Sequence, residues 1–311
     1  MHTIDLKNKG YRTDLVIDEI TREKDTKLSS KILEKTKNVT VEEVIIDEKT
    51  NCNKKKGIYE TISFTDITDK NNFKEVEELA IKTLKNMLNK LNISSNAKIL
   101  VVGLGNASST PDALGPKTLD HVLVTRHLFL LGEVEEGYRN VASFKPSVTG
   151  VTGIETKDLI EGIKEKIKPD ILIVIDALAS SSIERLNKTI QITSAGISPG
   201  SGVGNNRLEI SQDTLHIPVI AIGVPTVVDG ATIVENTLQL LLKKISYGIE
   251  NKENEKLKLV PITNQNYLNH TKELSKEQKE DLLGMVGLLD EQELKLSLIH
   301  ISEPTRRRGI S

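Results

Sequence analysis

Tryptophan is missing from this chain of 311 residues, and aromatic residues make up only 3% of it. Proteins that bind single-stranded nucleic acid stack bases on such rings, so the composition argues against that class. No charge of one sign dominates: the formal net charge of −2 offers neither a basic nucleic-acid surface nor an acidic tail. A single cysteine, Cys52, excludes an intramolecular disulfide framework and fits a reducing compartment. It lies in the polar turn TNCNKKK, where a solvated thiol is the simpler reading. There is no apolar run of 18 residues, and the first residues lack the apolar core of a signal peptide. The chain therefore reads as cytosolic, with no membrane partner.

Several catalytic and binding signatures are also lacking. Gly103-Leu104-Gly105-Asn106 has no third glycine to open a helix, as a dinucleotide fingerprint requires. Neither it nor Gly200-Ser201-Gly202-Val203-Gly204 leads into the Gly-Lys-Ser/Thr of a P-loop. These glycines are read as tight turns at the rim of a sheet, and no cofactor is expected. The six histidines include no His-Glu-x-x-His pair; His121 and His127 are spaced wrongly to share a helix face as two metal ligands. Gly-x-Ser-x-Gly is absent too, which leaves a serine nucleophile unsupported.

What is present is an alternation of apolar runs and amphipathic stretches. VEEVIID (41–47) and GIYETISF (57–64) read as a hairpin around an Asn/Lys/Gly turn. Phe73, Val76, Ala80, Leu84, Met87 and Leu91 recur at helical steps. Strands are then expected at 97–102, 139–144, 170–175, 189–196 and 217–223. Helices are expected at 117–131, with Leu119, Val122, Leu123 and Leu130 inward, and at 155–167 and 231–245. This order predicts an α/β fold: a mainly parallel sheet with helices on both faces, and an N-terminal hairpin and arm added at its edge. A Lys-, Glu- and Asn-rich stretch at 250–279 reads as solvated, with a short helix at 282–289. LSLIHISEPTR (296–306) and the following RRRGIS look like the translation of a sequencing adapter. Residues 296–311 are accordingly treated as a non-native tail that replaces the natural C-terminus.

Two aspartates carry the chemistry. Asp112 lies in the TPDALGP loop after the strand that ends near Val102, and Asp176 follows the strand Ile171–Ile175. Open α/β sheets bind ligands beyond the carboxyl ends of their strands. Taken singly, each aspartate is more simply a cap for the turn that follows it. As a pair they suggest more, because two carboxyls held close cannot both ionise and their pKa values split. The ionised member can take a proton from water while the protonated one polarises a peptide carbonyl. That chemistry is amide hydrolysis with neither metal nor nucleophilic side chain.

At these residues the sequence resembles the germination protease family of spore-forming bacteria. The matching segments are RTDL (12–15), VVGLGN (101–106), TPDALGP (110–116), VTRHLF (124–129), DILIVIDALA (170–179), PGSGVGNNR (199–207) and IPVIAIGVPTVVD (217–229). The resemblance implies an endopeptidase of the forespore and spore core that degrades small acid-soluble spore proteins, a zymogen with a short propeptide, and a homotetramer. It also implies a fold related to hydrogenase-maturation peptidases, with Asp112 and Asp176 as the catalytic pair. The family cuts after Glu, ahead of an apolar residue and with a second Glu three places further on. Glu19-Ile20-Thr21-Arg22-Glu23 repeats that arrangement, which makes residues 1–19 a propeptide, Glu19–Ile20 the self-cleaved bond and 20–295 one peptidase domain. Glu23–Lys24 is the rival bond, and an ordered edge strand over 12–23 is the alternative to both. Two positions depart from the pattern: Ser198 where the family usually has His, and Asn206 where it usually has Lys. A metal-assisted maturation-type peptidase, or a non-catalytic binding protein on the same fold, is the competing reading.

Overall fold

In a computed structural model, the residues described are 13–228, except 23–27, 49, 51, 53, 133, 135, 136 and 202–206, together with Ile233. Nearly all of them fall in one compact unit, Arg12–Asp229. The elements in chain order are α1 (Val16–Arg22), β1 (Lys31–Lys35), β2 (Val39–Ile46), β3 (Gly57–Phe64), α2 (Lys70–Lys90), β4 (Ile99–Gly103), α3 (Leu114–Leu119), α4 (Arg126–Leu131), β5 (Val141–Phe144), α5 (Thr149–Thr152), α6 (Thr156–Ile167), β6 (Ile171–Ser180), β7 (Thr189–Thr193), α7 (Gln212–Leu215) and β8 (Val219–Val228). A single 3₁₀ turn, Thr110–Asp112, stands between β4 and α3.

The eight strands make one sheet in the order β1-β2-β3-β7-β8-β6-β4-β5. It is mixed rather than mainly parallel. Only the β5-β4, β4-β6 and β6-β8 neighbours run parallel. The remaining pairs, β1-β2, β2-β3, β3-β7 and β7-β8, are antiparallel. β7 makes the change of direction, because it opposes both the β3 edge of the antiparallel half and β8 of the parallel half.

β4 and β6 are apolar on both faces, as strands covered on both sides must be. Ile99, Val101, Ile171, Ile173 and Ile175 face one core with Met87 and Leu88 of α2. Leu100, Val102, Leu172 and Val174 face the other with Ile160 of α6 and Leu215 of α7. Helices thus cover both faces. α2 starts at Asp69, whose carboxylate accepts the backbone N–H groups of Asn71 and Asn72, and its buried row is Val76, Leu79, Thr83 and Met87. Phe73, expected on that row, is exposed.

The helix expected over 117–131 is broken. α3 starts at Leu114 and stops at Leu119, while α4 is a separate turn, and Leu123 and Leu130 are exposed. Thr125 accounts for the break: its N–H donates to the Val141 carbonyl and its hydroxyl accepts from the Val141 N–H, which ties the segment to β5. The helix expected at 231–245, apart from Ile233, lies outside the described residues, as do 250–279, 282–289 and the 296–311 tail.

The N-terminal arm is built into the body. Leu15 and Ile17 pack with Leu178, and Val16 packs with Val44, Ile46 and Tyr59. All three are buried.

Candidate active site

Three glycines seat the first aspartate. Gly103 and Gly115 face each other, and a Cβ on Gly115 would overlap the carbonyl oxygens of Leu104 and Ile175. α3 therefore crosses the end of β4 and the middle of β6 with backbone against backbone, just where the Leu104 N–H donates to the Ile175 carbonyl at 2.8 Å. Gly105 has φ +107°, and a Cβ there would overlap the Asp112 carbonyl. These glycines serve close approach more than turning. The Asp112 turn is tied down twice. Its Oδ2 accepts the Asn106 N–H at 2.7 Å, and Thr226 of β8 donates its hydroxyl to the Pro111 carbonyl at 2.6 Å.

Asp176 lies within β6 rather than after its end. The strand continues to Ser180 because it goes on pairing with β8, Asp176 opposite Gly223 and Ser180 opposite Val228, across one irregularity at Leu178/Ala179. By strand alternation Asp176 continues the row of Leu172 and Val174, with Leu178 beyond it. The side chain is 6% exposed, and its Oδ1 accepts the N–H of its own neighbour Ala177 at 2.8 Å.

The two aspartates are brought together. Burial pushes the Asp176 carboxyl well above the usual aspartate range, and the charge of Asp112 pushes it further. The half-buried Asp112 is also raised by burial, but the Asn106 N–H opposes the rise. Asp176 thus favours its neutral form more strongly. This is the split that acid–base division of labour needs. Among the described residues, no three His, Cys, Asp or Glu side chains gather as a metal-holding group. Also among the described residues, no helix is long and apolar enough to cross a membrane.

A third aspartate, not singled out in the sequence, adjoins the pair. Asp14, in the RTDL motif, runs beside β6: its N–H donates to the Ala179 carbonyl at 2.9 Å, and its Oδ2 accepts the Ala179 N–H at 2.8 Å. Its Oδ1 accepts the Ser201 hydroxyl at 2.7 Å, and its charge adds to the upward push on Asp176. Lys54 reaches the same arm, donating to the Thr13 carbonyl. Burial pushes the Lys54 pKa down, against the opposing pull of Asp14, Glu19 and Asp18. The clue in the sequence was the acid within a motif already quoted.

Glu19 and Ile20 are half-buried within helix α1, so this part of 12–23 is helical and not the ordered edge strand offered as the alternative. Ser198 is half-buried in the loop after β7, and Asn206 lies outside the described residues.

A family model described as Germination protease matches residues 12–305, a span that reaches into the adapter-like segment. The germination protease of Bacillus cytotoxicus is 42% identical over 320 aligned residues, covering 97% of this chain and 87% of its own. That of Priestia megaterium is 42% identical, covering 96% and 85%. That of Bacillus subtilis is 47% identical over 256 residues, covering 79% and 69%.

Proposed function

Because the chain belongs to the germination protease family, we propose that it is an endopeptidase of spore germination that hydrolyses small acid-soluble spore proteins with the Asp112–Asp176 pair. The observation that carries this is the placing of Asp176: buried, under the charge of a second carboxyl, and, among the described residues, hydrogen-bonded by its neighbour's N–H alone. A structural aspartate would be expected to have more partners.

In the reaction, Asp112 is the ionised member and takes a proton from water. The hydroxide so formed attacks the peptide carbonyl carbon, while the neutral Asp176 donates a hydrogen bond to the carbonyl oxygen. Collapse of the tetrahedral adduct breaks the C–N bond, and the proton gained by Asp112 passes to the leaving amine. The protein works in the forespore and spore core as a homotetramer.

The zymogen part of the proposal sets the self-cleaved bond at Glu19–Ile20. That bond is helical, so α1 must unwind before it can be cut. Loss of residues 1–19 would also remove Leu15, Val16 and Ile17, each contributing about 1.5–3 kcal/mol of burial. The processed form should therefore melt below the full chain. N-terminal sequencing of processed protein decides the bond: a terminus other than Ile20 removes this site while leaving the catalytic pair untouched.

The whole reading is tested by incubating purified protein with a spore DNA-coating protein and mapping the fragments by mass spectrometry. Cleavage that survives exhaustive chelation is expected. Activity that disappears with bound nickel or zinc and returns on its addition would favour the metal-assisted alternative, and no cleavage at all would overturn the proposal.

A further inference from the structure

β6 and β8 run side by side in parallel, and just past Asp176 their register slips by one residue. Asp176 stands opposite Gly223 and Leu178 opposite Pro225, but Ala179 stands opposite Val227. Thr226 is therefore an extra residue on β8, a bulge with no matching position on β6. Bulges are rare between parallel strands, and beside a site they serve to re-aim a side chain. The residue before the bulge is pinned. The Pro225 carbonyl accepts the Asn187 N–H at 2.9 Å, and Pro225 has no N–H of its own to leave unpaired. The side chain released from the ladder is that of Thr226. Its hydroxyl donates to the Pro111 carbonyl at 2.6 Å, one residue before Asp112.

That bond supplies a hold that the rest of the turn lacks. The glycine seat limits how closely the turn approaches Leu104 and Ile175. The Asn106 N–H fixes Oδ2 of Asp112, but it belongs to the same loop and moves with it. Of these holds, only Thr226 comes from β8, the strand whose Gly223 lies opposite Asp176. We propose that Thr226 is a positioning residue: the β8 bulge aims its hydroxyl at Pro111 so that the Asp112 carboxyl is kept at its working place relative to Asp176. Thr226 acts through the turn and takes no part in the proton transfers.

This inference rests on the peptidase reading, and one arm of its test needs no activity. Thr226→Val keeps the shape of the side chain and removes the hydroxyl. The bond lies at the surface, so water can serve the freed Pro111 carbonyl, and the variant should melt within a few degrees of the unsubstituted protein. Its kcat on a spore DNA-coating protein should fall about 10- to 100-fold, as expected for a misplaced reacting group, with KM nearly unchanged. Thr226→Ser keeps the hydroxyl and should retain most of kcat. Thr226→Ala differs from the serine variant by one oxygen atom and should behave like valine. The second arm follows the Asp176 carboxyl by NMR of labelled side chains through a pH titration. The charges of Asp112 and Asp14 both favour its neutral form. A loosened turn weakens the first of them, so Asp176 should ionise at lower pH in Thr226→Val. The alkaline limb of the kcat profile should move the same way, because cleavage needs Asp176 neutral. An unchanged kcat in the valine variant, equal losses with serine and alanine, or an unmoved Asp176 titration overturns the role of Thr226. If the unsubstituted protein cuts nothing while the titration moves as expected, only the peptidase reading fails.

Discussion

Asp18 and Asp176 are equally removed from water, at 2% and 6% exposure, yet their surroundings are opposites. Asp18 is saturated. Its Oδ2 accepts the Thr13 hydroxyl at 2.5 Å, the Ser180 hydroxyl at 3.1 Å and the Ser181 N–H at 2.8 Å, and its Oδ1 pairs with Arg185 Nε at 2.8 Å. Asp176, four residues before Ser180 on the same strand, accepts an N–H from its own neighbour and, among the described residues, feels the charge of a second carboxyl rather than that of a cation. Burial alone therefore does not mark a working aspartate. What separates the two is how much of the desolvation cost is offset: Asp18 secures an arm to the end of β6, whereas Asp176 is left with a proton it holds unusually tightly.

Substitution should separate these two kinds of aspartate. The largest effect is on turnover: Asp176→Asn and Asp112→Asn should each lower peptide cleavage about a thousandfold or more, with the folded state retained. Near-normal kcat in either variant would end the assignment. Asp18→Asn should do the reverse and act on stability. Breaking a buried ion pair costs about 3–5 kcal/mol, and here about 2–3 kcal/mol is expected because Arg185 is partly exposed. A denaturant midpoint unchanged in this variant would make Asp18 as dispensable as a surface acid.

Next comes Gly115→Ala, which should cost about 1–3 kcal/mol as overpacking, because its methyl group meets the backbone of Leu104 just after β4 and of Ile175 in β6. Cleavage by the fraction that still folds should fall as well, since the turn bearing Asp112 is displaced from β6.

A pH series sharpens the contrast further. The folded-state pKa of Asp176 is raised, so its contribution to stability is complete below the ordinary aspartate range and is lost as pH rises through the folded value. Asparagine cannot ionise. Asp176→Asn should therefore melt above the unsubstituted protein at neutral pH, with the advantage shrinking as pH falls toward the ordinary aspartate range. A variant that melts lower at neutral pH would mean that the Asp176 carboxylate is stabilised by groups other than those described. The smallest effect belongs to removal of residues 296–311, which should change neither melting temperature nor cleavage rate. A drop of several degrees would show that the segment packs.

Much of this was legible in the sequence, for reasons that can be named. Ile171–Ile175 and Ile99–Val102 are apolar at every position, the mark of strands covered on both faces, and α6 shows its single inward row. Asp112 and Asp176 could be paired because each follows such a strand. Strand direction was less accessible: β7 is apolar and β-branched whichever way it runs, and its antiparallel setting depends on its neighbours β3 and β8. The extension of β6 through Ala177-Leu178-Ala179-Ser180 was hidden because small residues there resemble a turn, and only pairing with β8 keeps them extended. The burial of the arm was not legible because Leu15-Val16-Ile17 is too short a run to show a period. Its partners are far along the chain, as in the bond from the Val16 N–H to Gln191 Oε1.

The glycine seat beneath Asp112 fixes a tolerance in the machinist's sense. Where side chains separate two elements, rotamers can absorb small errors, and the gap adjusts by fractions of an ångström. Between Gly115 and the backbone at the end of β4 and the middle of β6 there is no such shim, so the height of the Asp112 turn is set by main-chain atoms on both sides. The spacing of the two carboxyls is in that respect a property of the fold, largely indifferent to how the surrounding side chains are repacked. One added methyl group at residue 115 would have to displace main-chain atoms, and the Asp112 turn with them.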